Sequence, residues 1–278
     1  MKALFDKVSL ATSKLTTRTY SSSFSIGIHC LQKRFHDPIY GIYSYVRFAD
    51  EIVDSFHDYA KEELLDEFEK DTYIAIARKI SLNPVLNSFQ AIVHKYNIDR
   101  HLIDNFLKSM RDDLTRQEYN PETYSEYIYG SAEVVGLMCL KVFTEGDNSL
   151  YEALTPGARK LGAAFQKVNF LRDIKSDYEY LGRIYFPGVD IATMTHHEKT
   201  AIERDIEADF KEALDGIKKL PNGTRFGVYV AYIYYRNLFL KIKSVPPSNI
   251  MLSRIRIPHY QKVFLLCTSY FRHSLRLI

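Results

Sequence analysis

Apolar side chains recur at spacings of three and four along most of the chain, which is the period of an amphipathic α-helix. The stretch 102–110 shows this pattern, with apolar residues at positions 102, 103, 106, 107 and 110. Prolines next to capping residues separate the periodic stretches. These boundaries are Asp37-Pro38, Asn83-Pro84, Asn120-Pro121, Thr155-Pro156, Phe186-Pro187, Leu220-Pro221 and Val245-Pro246. The pattern predicts about ten helices and, because no low-complexity linker or internal repeat divides them, one all-α domain over residues 1–278.

The composition favours the same fold class. Only 12 Gly and 9 Pro occur in 278 residues, which is too few for the many turns of a β-sandwich or β-barrel. A hydrophobic content of 46% with 26% charged residues is typical of a soluble globular protein and excludes a disordered or collagen-like chain. The 21 Tyr and 17 Phe residues, with no Trp, predict a core or a cavity wall rich in aromatic rings.

Charge and cysteine content exclude some partners. The net charge of +3 is the small difference between 37 basic and 34 acidic residues, and it does not indicate nucleic-acid binding. Cys30, Cys139 and Cys267 are far apart and odd in number, so a reducing compartment is expected. The N-terminus has no signal-like apolar segment, and the stretches 134–140 and 228–235 are too short to span a membrane. We therefore expect a cytoplasmic protein that is at most peripheral to a membrane.

The C-terminal stretch 263–278 allows two interpretations. It mixes Phe264, Tyr270 and Phe271 with Arg272 and Arg276. A basic amphipathic end of this kind lies on a bilayer surface in some proteins. Most amphipathic helices, however, only pack on their own bundle.

A first polar stripe crosses an otherwise apolar helical segment. Tyr43, Arg47, Asp50 and Asp54 are spaced by four, three and four, which places them on one helix face within about 50°. Two carboxylates four residues apart repel each other, and more strongly when apolar neighbours keep water away. Mg²⁺ relieves such repulsion, and it typically takes one or two carboxylates together with waters and phosphate oxygens.

A second stripe has the same form. Gln166, Asn169, Asp173 and Asp177 are spaced by three, four and four, within a segment whose other faces are apolar. A single D-x-x-x-D is weak support for a site, because it often arises by chance. Two such stripes, each extended by other polar residues on the same face, indicate a functional site. Facing each other across a bundle, they would form a cage for several Mg²⁺ ions and a polyanion.

Four sequence blocks resemble those of the squalene/phytoene synthase family, the trans-isoprenyl diphosphate head-to-head synthases. The blocks are residues 20–24 (YSSSF), 49–54 (ADEIVD), 127–138 (YIYGSAEVVGLM) and 166–177 followed by 182–187 (GRIYFP). Within that family the chain is most similar to the bacterial phytoene synthases. The resemblance implies a helical bundle of the isoprenoid synthase type with a central active-site cavity.

The resemblance also implies roles for individual residues. Mg²⁺, which Mn²⁺ can replace, is expected on Asp50, Asp54, Asn169, Asp173 and Asp177. Diphosphate contacts are expected from Ser21, Ser23, Arg47, Tyr127, Gln166, Asn169, Arg172, Arg183, Tyr235 and Arg254. The residues expected to act in catalysis are Arg47, Asp50, Asp54, Tyr127, Asp173 and Asp177. Ile28 and Tyr40 are expected to close the far end of the cavity, where a medium-sized Ile28 leaves room for long chains.

Two positions depart from the family pattern. Tyr20 stands where relatives often have His, and Glu133 replaces a small Gly. The first change removes an expected phosphate contact, and the second is expected to put a carboxylate beside the cavity.

The implied reaction joins two geranylgeranyl diphosphates through a cyclopropyl diphosphate and ends, after loss of a proton, as phytoene, at the first step of carotenoid biosynthesis. A hydride from NADPH would give squalene instead, but no G-x-G-x-x-G motif occurs, so no NADPH is expected. One alternative is a dehydrosqualene or squalene synthase that acts on farnesyl diphosphate with the same metal residues. Another is a non-catalytic helical assembly protein, which predicts eroded acidic motifs, whereas both motifs are intact.

Two further clusters of polar residues are predicted to be structural. Thr195 precedes His196-His197-Glu198 as a helix cap, and the spacing does not match a metal motif. Adjacent Asp112 and Asp113 point about 100° apart on a helix, so they cannot chelate jointly. We expect Asp113 to act in capping or a salt bridge.

Overall fold

The computed structural model describes residues 2–116, 118–252 and 254–275. These residues form twelve α-helices and no β-strand, apart from an isolated bridge between Glu118 and Ile184. The helices are α1 Lys2–Tyr20, α2 Ser22–His29, α3 His36–Ser55, α4 Lys61–Arg78, α5 Pro84–Tyr96, α6 Arg100–Thr115, α7 Pro121–Ile128, α8 Val134–Thr144, α9 Asn148–Leu181, α10 His196–Lys219, α11 Asn222–Lys243 and α12 His259–Ser274. The predicted all-α class is therefore confirmed.

Short polar side chains start several of these helices by binding free backbone N–H groups. Ser21 accepts from the N–H of Phe24 at 3.2 Å, at the start of α2. Thr195 and Glu198 form a reciprocal capping box at the start of α10. The Thr195 to Glu198 cluster is thus a helix start, as predicted.

The prediction that a helix ends at Thr155-Pro156 is wrong. Helix α9 is 34 residues long, from Asn148 to Leu181, and it continues through Pro156. The proline removes one backbone hydrogen bond, and the Thr155 hydroxyl nearby donates to the carbonyl of Tyr151 at 2.8 Å. Packing of α9 along α8 and α10 holds the helix together across this point.

Glycines allow two close helix crossings. A Cβ atom added at Gly157 of α9 would lie 2.8 Å from the Cα of Gly216 in α10. A Cβ atom at Gly227 of α11 would lie 2.6 Å from the carbonyl oxygen of Gly27 in α2. Any larger residue at these positions would push the helices apart, and all four glycines line the cavity described below.

Helix α3 separates the packed core from this cavity. On one side its Tyr45 ring stacks on Phe89 of α5, with centroids 3.7 Å apart, and also packs against Phe106 of α6. On its other side, residues from Ile39 to Asp54 line the cavity. The polar stripe of α3 is therefore turned away from the core and toward open space.

The three cysteines are free thiols, as the sequence suggested. None of the described helices is long and apolar enough to cross a membrane. Residues 276–278, the last of the predicted basic amphipathic end, lie outside the described residues.

Candidate active site

A single cavity of about 960 Å³ collects most of the predicted site residues. This volume is near the upper end of the range for small-molecule sites. The predicted residues that line it are Ser21, Ile28, Arg47, Asp50, Asp54, Tyr127, Gln166, Asn169, Arg172, Asp173, Asp177, Arg183, Tyr235 and Arg254.

The cavity is polar at one end and apolar at the other. Along α3 its wall runs from Asp54 to Ile39, which is about 22 Å at the helical rise of 1.5 Å per residue. The polar end carries the acids and arginines. The apolar end is lined by Leu31, Ile39, Phe143, Leu154, Ile217 and Leu220. Such a shape suits a long hydrocarbon with a charged head group.

The two acidic stripes meet at the polar end. Asp50 and Asp54 come from α3, and Asp173 and Asp177 come from α9. Burial raises the pKa of Asp50 to about 7, and the nearby charge of Asp54 adds to the shift. Burial likewise raises the pKa of Asp177 to about 7, with further contributions from Asp173 and from Asp54 across the cavity. The carboxylates thus repel each other and favour a bound positive charge.

The oxygen donors of the stripes fit a magnesium ion shared with phosphate. Within the part of the chain that the structure describes, no three His, Cys, Asp or Glu side chains lie close enough together to hold a metal by themselves. A phosphate-bound Mg²⁺ needs only one or two carboxylates, since waters and phosphate oxygens complete its shell. The carboxylates at this end of the cavity, with the amide of Asn169, supply such donors in pairs.

Arg47 lines the cavity and has one buried hydrogen-bond donor without a partner among the described residues. Its Nη1 atom is 3.2 Å from Asp50 Oδ2, and its Nη2 atom contacts Glu51. Its Nε atom is buried and has no hydrogen-bond partner among the described residues. A buried unpaired donor of this kind is costly. The ring of Tyr20 lies 4.5 Å from the same guanidinium group, so the Tyr at this position packs on Arg47.

Two arginines neutralise Asp173. Arg172 Nε lies 3.0 Å from Asp173 Oδ1, and Arg254 Nε lies 2.7 Å from the same oxygen. Arg254 belongs to the segment between α11 and α12, which therefore reaches the polar end of the cavity. Positive charge from two separate elements is gathered beside the α9 stripe.

A buried cluster around Asp113 of α6 supports the polar end of the cavity. Arg183, with only 6% of its side chain exposed, pairs with Asp54 at 3.0 Å and with Asp113 at 3.5 Å. The Tyr127 hydroxyl donates to both Asp113 oxygens at 2.8 Å. Burial raises the pKa of Asp113 to about 8, and Arg183 partly offsets the shift. Asp113 thus makes the predicted salt bridge, and its carboxylate accepts the hydrogen bond of the Tyr127 hydroxyl.

Amide groups and aromatic rings form the middle of the wall. Gln166 Nε2 donates to Ser131 Oγ at 3.2 Å, and the Tyr235 hydroxyl donates to Asn169 Oδ1 at 3.3 Å. The Tyr235 ring also stacks on Phe165 with centroids 3.9 Å apart. Phe24 and Tyr43 complete an aromatic group with these two rings, at centroid distances of 5.5 to 6.2 Å. This group lies between the polar and apolar ends.

The family model described as squalene/phytoene synthase matches residues 17–261. The chain belongs to the squalene/phytoene synthase family. Phytoene synthase 1 of Zea mays is 27% identical over 83% of the chain and 60% of its own length. The phytoene synthase of Arthrospira platensis is 26% identical over 90% of the chain and 88% of its own length. The chain therefore spans less than two thirds of the chloroplast protein and most of the cyanobacterial one.

Solved structures in the squalene/phytoene synthase family share the fold. A dehydrosqualene synthase crystal structure superposes with a TM-score of 0.82 at 22% identity, covering 97% of this chain and 98% of that one. The squalene synthase of Alicyclobacillus acidocaldarius gives a TM-score of 0.73 at 19% identity, covering 86% and 94%. The predicted isoprenoid synthase fold is confirmed by this likeness.

Three positions of this squalene/phytoene synthase family member lie away from their expected places. Ser23 does not line the cavity, because it follows Ser21 by two residues and points to a different side of α2. Tyr40 is fully buried on another side of α3, with Lys14 of α1 6.0 Å from its ring, so it does not close the cavity. Glu133 pairs with Arg159 Nε at 2.5 Å instead of lining the cavity.

Sequence reasoning gave no site role to some residues that the structure brings to the cavity. Asp113, Tyr43 and Phe165 are the clearest cases. A signal existed for Tyr43, which shares the α3 stripe with Arg47 and Asp50. For Asp113 the signals were its resemblance to a recurrent residue of the family and its position three residues after Met110, on a face that is otherwise apolar.

Proposed function

We propose that the chain is a phytoene synthase that joins two geranylgeranyl diphosphates head to head, as a single isoprenoid synthase domain over residues 1–278. The observation that carries the proposal is the meeting of two acidic helix faces at the polar end of a deep apolar cavity. The similar curated proteins from Zea mays and Arthrospira platensis carry the name phytoene synthase. The enzyme class is a prenyltransferase of carotenoid biosynthesis.

Asp50, Asp54, Asn169, Asp173 and Asp177 would hold Mg²⁺. When bound, the metal supplies positive charge to the diphosphate and so helps it to leave. Burial and neighbouring carboxylates raise the pKa values of Asp50 and Asp177, which means that these two gain from a bound cation.

The arginines of the cavity bind and orient the diphosphate groups. Arg47, Arg172 and Arg254 offer guanidinium groups that line the cavity, and those of Arg172 and Arg254 now contact Asp173. Guanidinium groups suit phosphate oxygens because their planar donors form paired hydrogen bonds. Arg183 is held by Asp54, Asp113 and the backbone, so we assign it to positioning Asp54 as well as to diphosphate contact.

The chain's apolar residues protect the cation that forms when diphosphate leaves. In the first step one allylic carbon loses diphosphate and bonds to the double bond of the second substrate, which loses a proton to give a cyclopropyl diphosphate. In the second step this intermediate loses its own diphosphate, rearranges and loses a proton to give phytoene. Ring faces of Phe24, Tyr43, Phe165 and Tyr235 stabilise positive charge, and the apolar part of the cavity wall keeps water away from it.

Tyr127 is assigned a structural part in this scheme. Burial and the neighbouring Asp113 charge raise its pKa well above the ordinary value, so its hydroxyl keeps its proton. Its hydrogen bonds hold Asp113 against Arg183. We therefore propose that Tyr127 influences catalysis indirectly, by holding Asp113 and so positioning Arg183.

The apolar end sets the length of prenyl chain that fits. Ile28 lines this wall with 3% of its surface exposed. We expect Ile28→Phe to shift preference from geranylgeranyl to farnesyl diphosphate by about tenfold or more in kcat/KM, because the larger ring fills space that the fourth isoprene unit needs. Ile28→Leu, with nearly the same volume, keeps the original preference. Competition between the two diphosphates measures the ratio, and an unchanged ratio in Ile28→Phe would contradict this assignment.

Peripheral contact of a cytoplasmic enzyme with a membrane also belongs to the proposal, because the hydrocarbon product dissolves in lipid and not in water.

Incubation of the purified protein with Mg²⁺ and geranylgeranyl diphosphate, without NADPH, tests the proposed reaction, since phytoene formation needs no hydride. A parallel reaction with farnesyl diphosphate tests the dehydrosqualene synthase alternative.

A further inference from the structure

The outer face of α12 is apolar over the whole length of the helix. Phe264 and Phe271 are 66% and 65% exposed, and Tyr260 is 78% exposed. The same side carries Val263, Cys267, Tyr270, Ser274 and Leu275, all exposed and none charged. Soluble proteins rarely leave such a continuous apolar surface without a binding partner. The opposite side of α12, with Leu265 and Ser269 buried, packs on the bundle, and at the border of the outer face the Tyr270 ring meets Phe226 of α11 with centroids 6.1 Å apart.

The charge of the chain is divided unevenly around this surface. No acidic residue follows Asp215, whereas eleven Lys and Arg residues do. The first 215 residues carry the other 26 basic residues and all 34 acidic ones. The net charge of +3 is therefore the sum of an acidic part, residues 1–215, and a strongly basic end, residues 216–278, which contains α11 and α12. Arg256 and Arg272 of this basic end are exposed.

Helix α12 begins beside residues that line the cavity. Lys262 Nζ donates to Ser22 Oγ at 2.8 Å, and the preceding residue, Ser21, lines the cavity. The Tyr234 hydroxyl donates to the carbonyl of Lys262 at 2.8 Å and fixes α12 on α11. Arg254, five residues before α12, lines the polar end. Whatever α12 binds is thus held close to the polar end of the cavity.

We propose that the outer face of α12 docks on the surface of a bilayer that contains anionic lipid. Aromatic and aliphatic side chains enter the boundary between head groups and acyl chains, and the neighbouring basic residues attract the anionic head groups. A second copy of the chain is a poorer occupant, because two basic ends would repel each other. The proposed function supplies only the reason for docking, which is that the hydrocarbon product dissolves in lipid. The docking surface itself does not depend on the substrate.

Flotation of the purified full-length protein with vesicles tests the proposal. Vesicles of phosphatidylcholine with phosphatidylglycerol are compared with vesicles of phosphatidylcholine alone. We expect the protein to float with the anionic vesicles and to float less at high salt, because salt screens the attraction between basic residues and head groups.

Variants separate the apolar and the basic parts of the surface. Phe264→Glu with Phe271→Glu should weaken binding by at least about tenfold, because two charges would enter the lipid boundary. Arg256→Gln with Arg272→Gln should weaken binding to anionic vesicles alone, by about fivefold for each charge. Tyr59→Glu with Leu82→Glu is the matched control, since these residues are 70% and 91% exposed but lie outside α12. The control should float like the original protein.

Some results would overturn the proposal. One is equal flotation of the Phe264→Glu, Phe271→Glu variant and the control. Another is that the original protein is a dimer by light scattering without lipid, that the Phe264→Glu, Phe271→Glu variant is a monomer, and that neither of the two binds vesicles. Turnover of detergent-dispersed substrate should be unchanged in the variant, so loss of docking and failure of the proposed reaction give different results.

Discussion

Asp50→Ala should lower turnover by at least about a thousandfold while the protein stays folded. The Asp50 carboxylate lines the polar end of the cavity, and its pKa is raised to about 7 by burial and by Asp54. A carboxylate whose pKa is raised by folding destabilises the fold at pH values above its unfolded pKa. Removing it should therefore leave the free energy of unfolding equal or higher.

Asp58→Ala is the matched control, because Asp58 is an exposed acid just after α3 that does not line the cavity. Product formation gives the turnover, and urea denaturation gives the free energy of unfolding. Calorimetric titration with Mg²⁺ and inorganic diphosphate adds a measurement that needs no turnover, and binding should weaken in Asp50→Ala only. Substantial remaining activity, or unchanged Mg²⁺ and diphosphate binding, would show that the acidic stripes do not form the metal site.

Arg183→Gln should have the largest effect on stability. Arg183 is buried and pairs with Asp54 and Asp113, so its loss leaves acids in the cavity wall without their main positive neighbour. Removing one partner of a buried ion pair costs about 3 to 5 kcal/mol. We expect a loss of about 3 kcal/mol in the free energy of unfolding, since Asp54 is partly open to the cavity, together with loss of turnover.

The control for Arg183→Gln is Arg159→Gln. Arg159 also pairs with a carboxylate, that of Glu133 at 2.5 Å, but 48% of its side chain is exposed. An exposed pair contributes about 1 kcal/mol or less. Urea denaturation of both variants measures the difference. Equal stabilities would mean that the cluster around Asp113 does not support the polar end of the cavity.

The sequence was sufficient to predict the helices and the stripes because both depend on a short period. Spacings of three and four placed Asp50 and Asp54, and Asp173 and Asp177, on single faces, and both faces line the cavity. The helix end at Pro156 was predicted wrongly, because tertiary packing along α9 outweighs the loss of one hydrogen bond. Local propensity cannot report such packing.

Contacts between distant elements could not be predicted from the sequence. Resemblance supplied Tyr127 and Arg183 as residues near diphosphate, but their link through Asp113 joins α6, α7 and the segment after α9. Tyr40 fails as a cavity residue for a similar reason. Its position next to Ile39 puts it about 100° around α3, where Lys14 of α1 meets its ring. Only the packing of neighbouring helices decides which of two adjacent residues meets the cavity.

The measurement that bears most directly on the proposed function is the product formed from geranylgeranyl diphosphate with Mg²⁺ and no NADPH. We predict phytoene, a C40 hydrocarbon, with two diphosphates released for each molecule formed. A prenyl alcohol with one diphosphate per substrate would show that the cavity ionises its substrate without joining two chains. A C30 hydrocarbon from farnesyl diphosphate, with no product from geranylgeranyl diphosphate, would contradict the proposed substrate. No hydrocarbon from either diphosphate would contradict the proposed reaction itself.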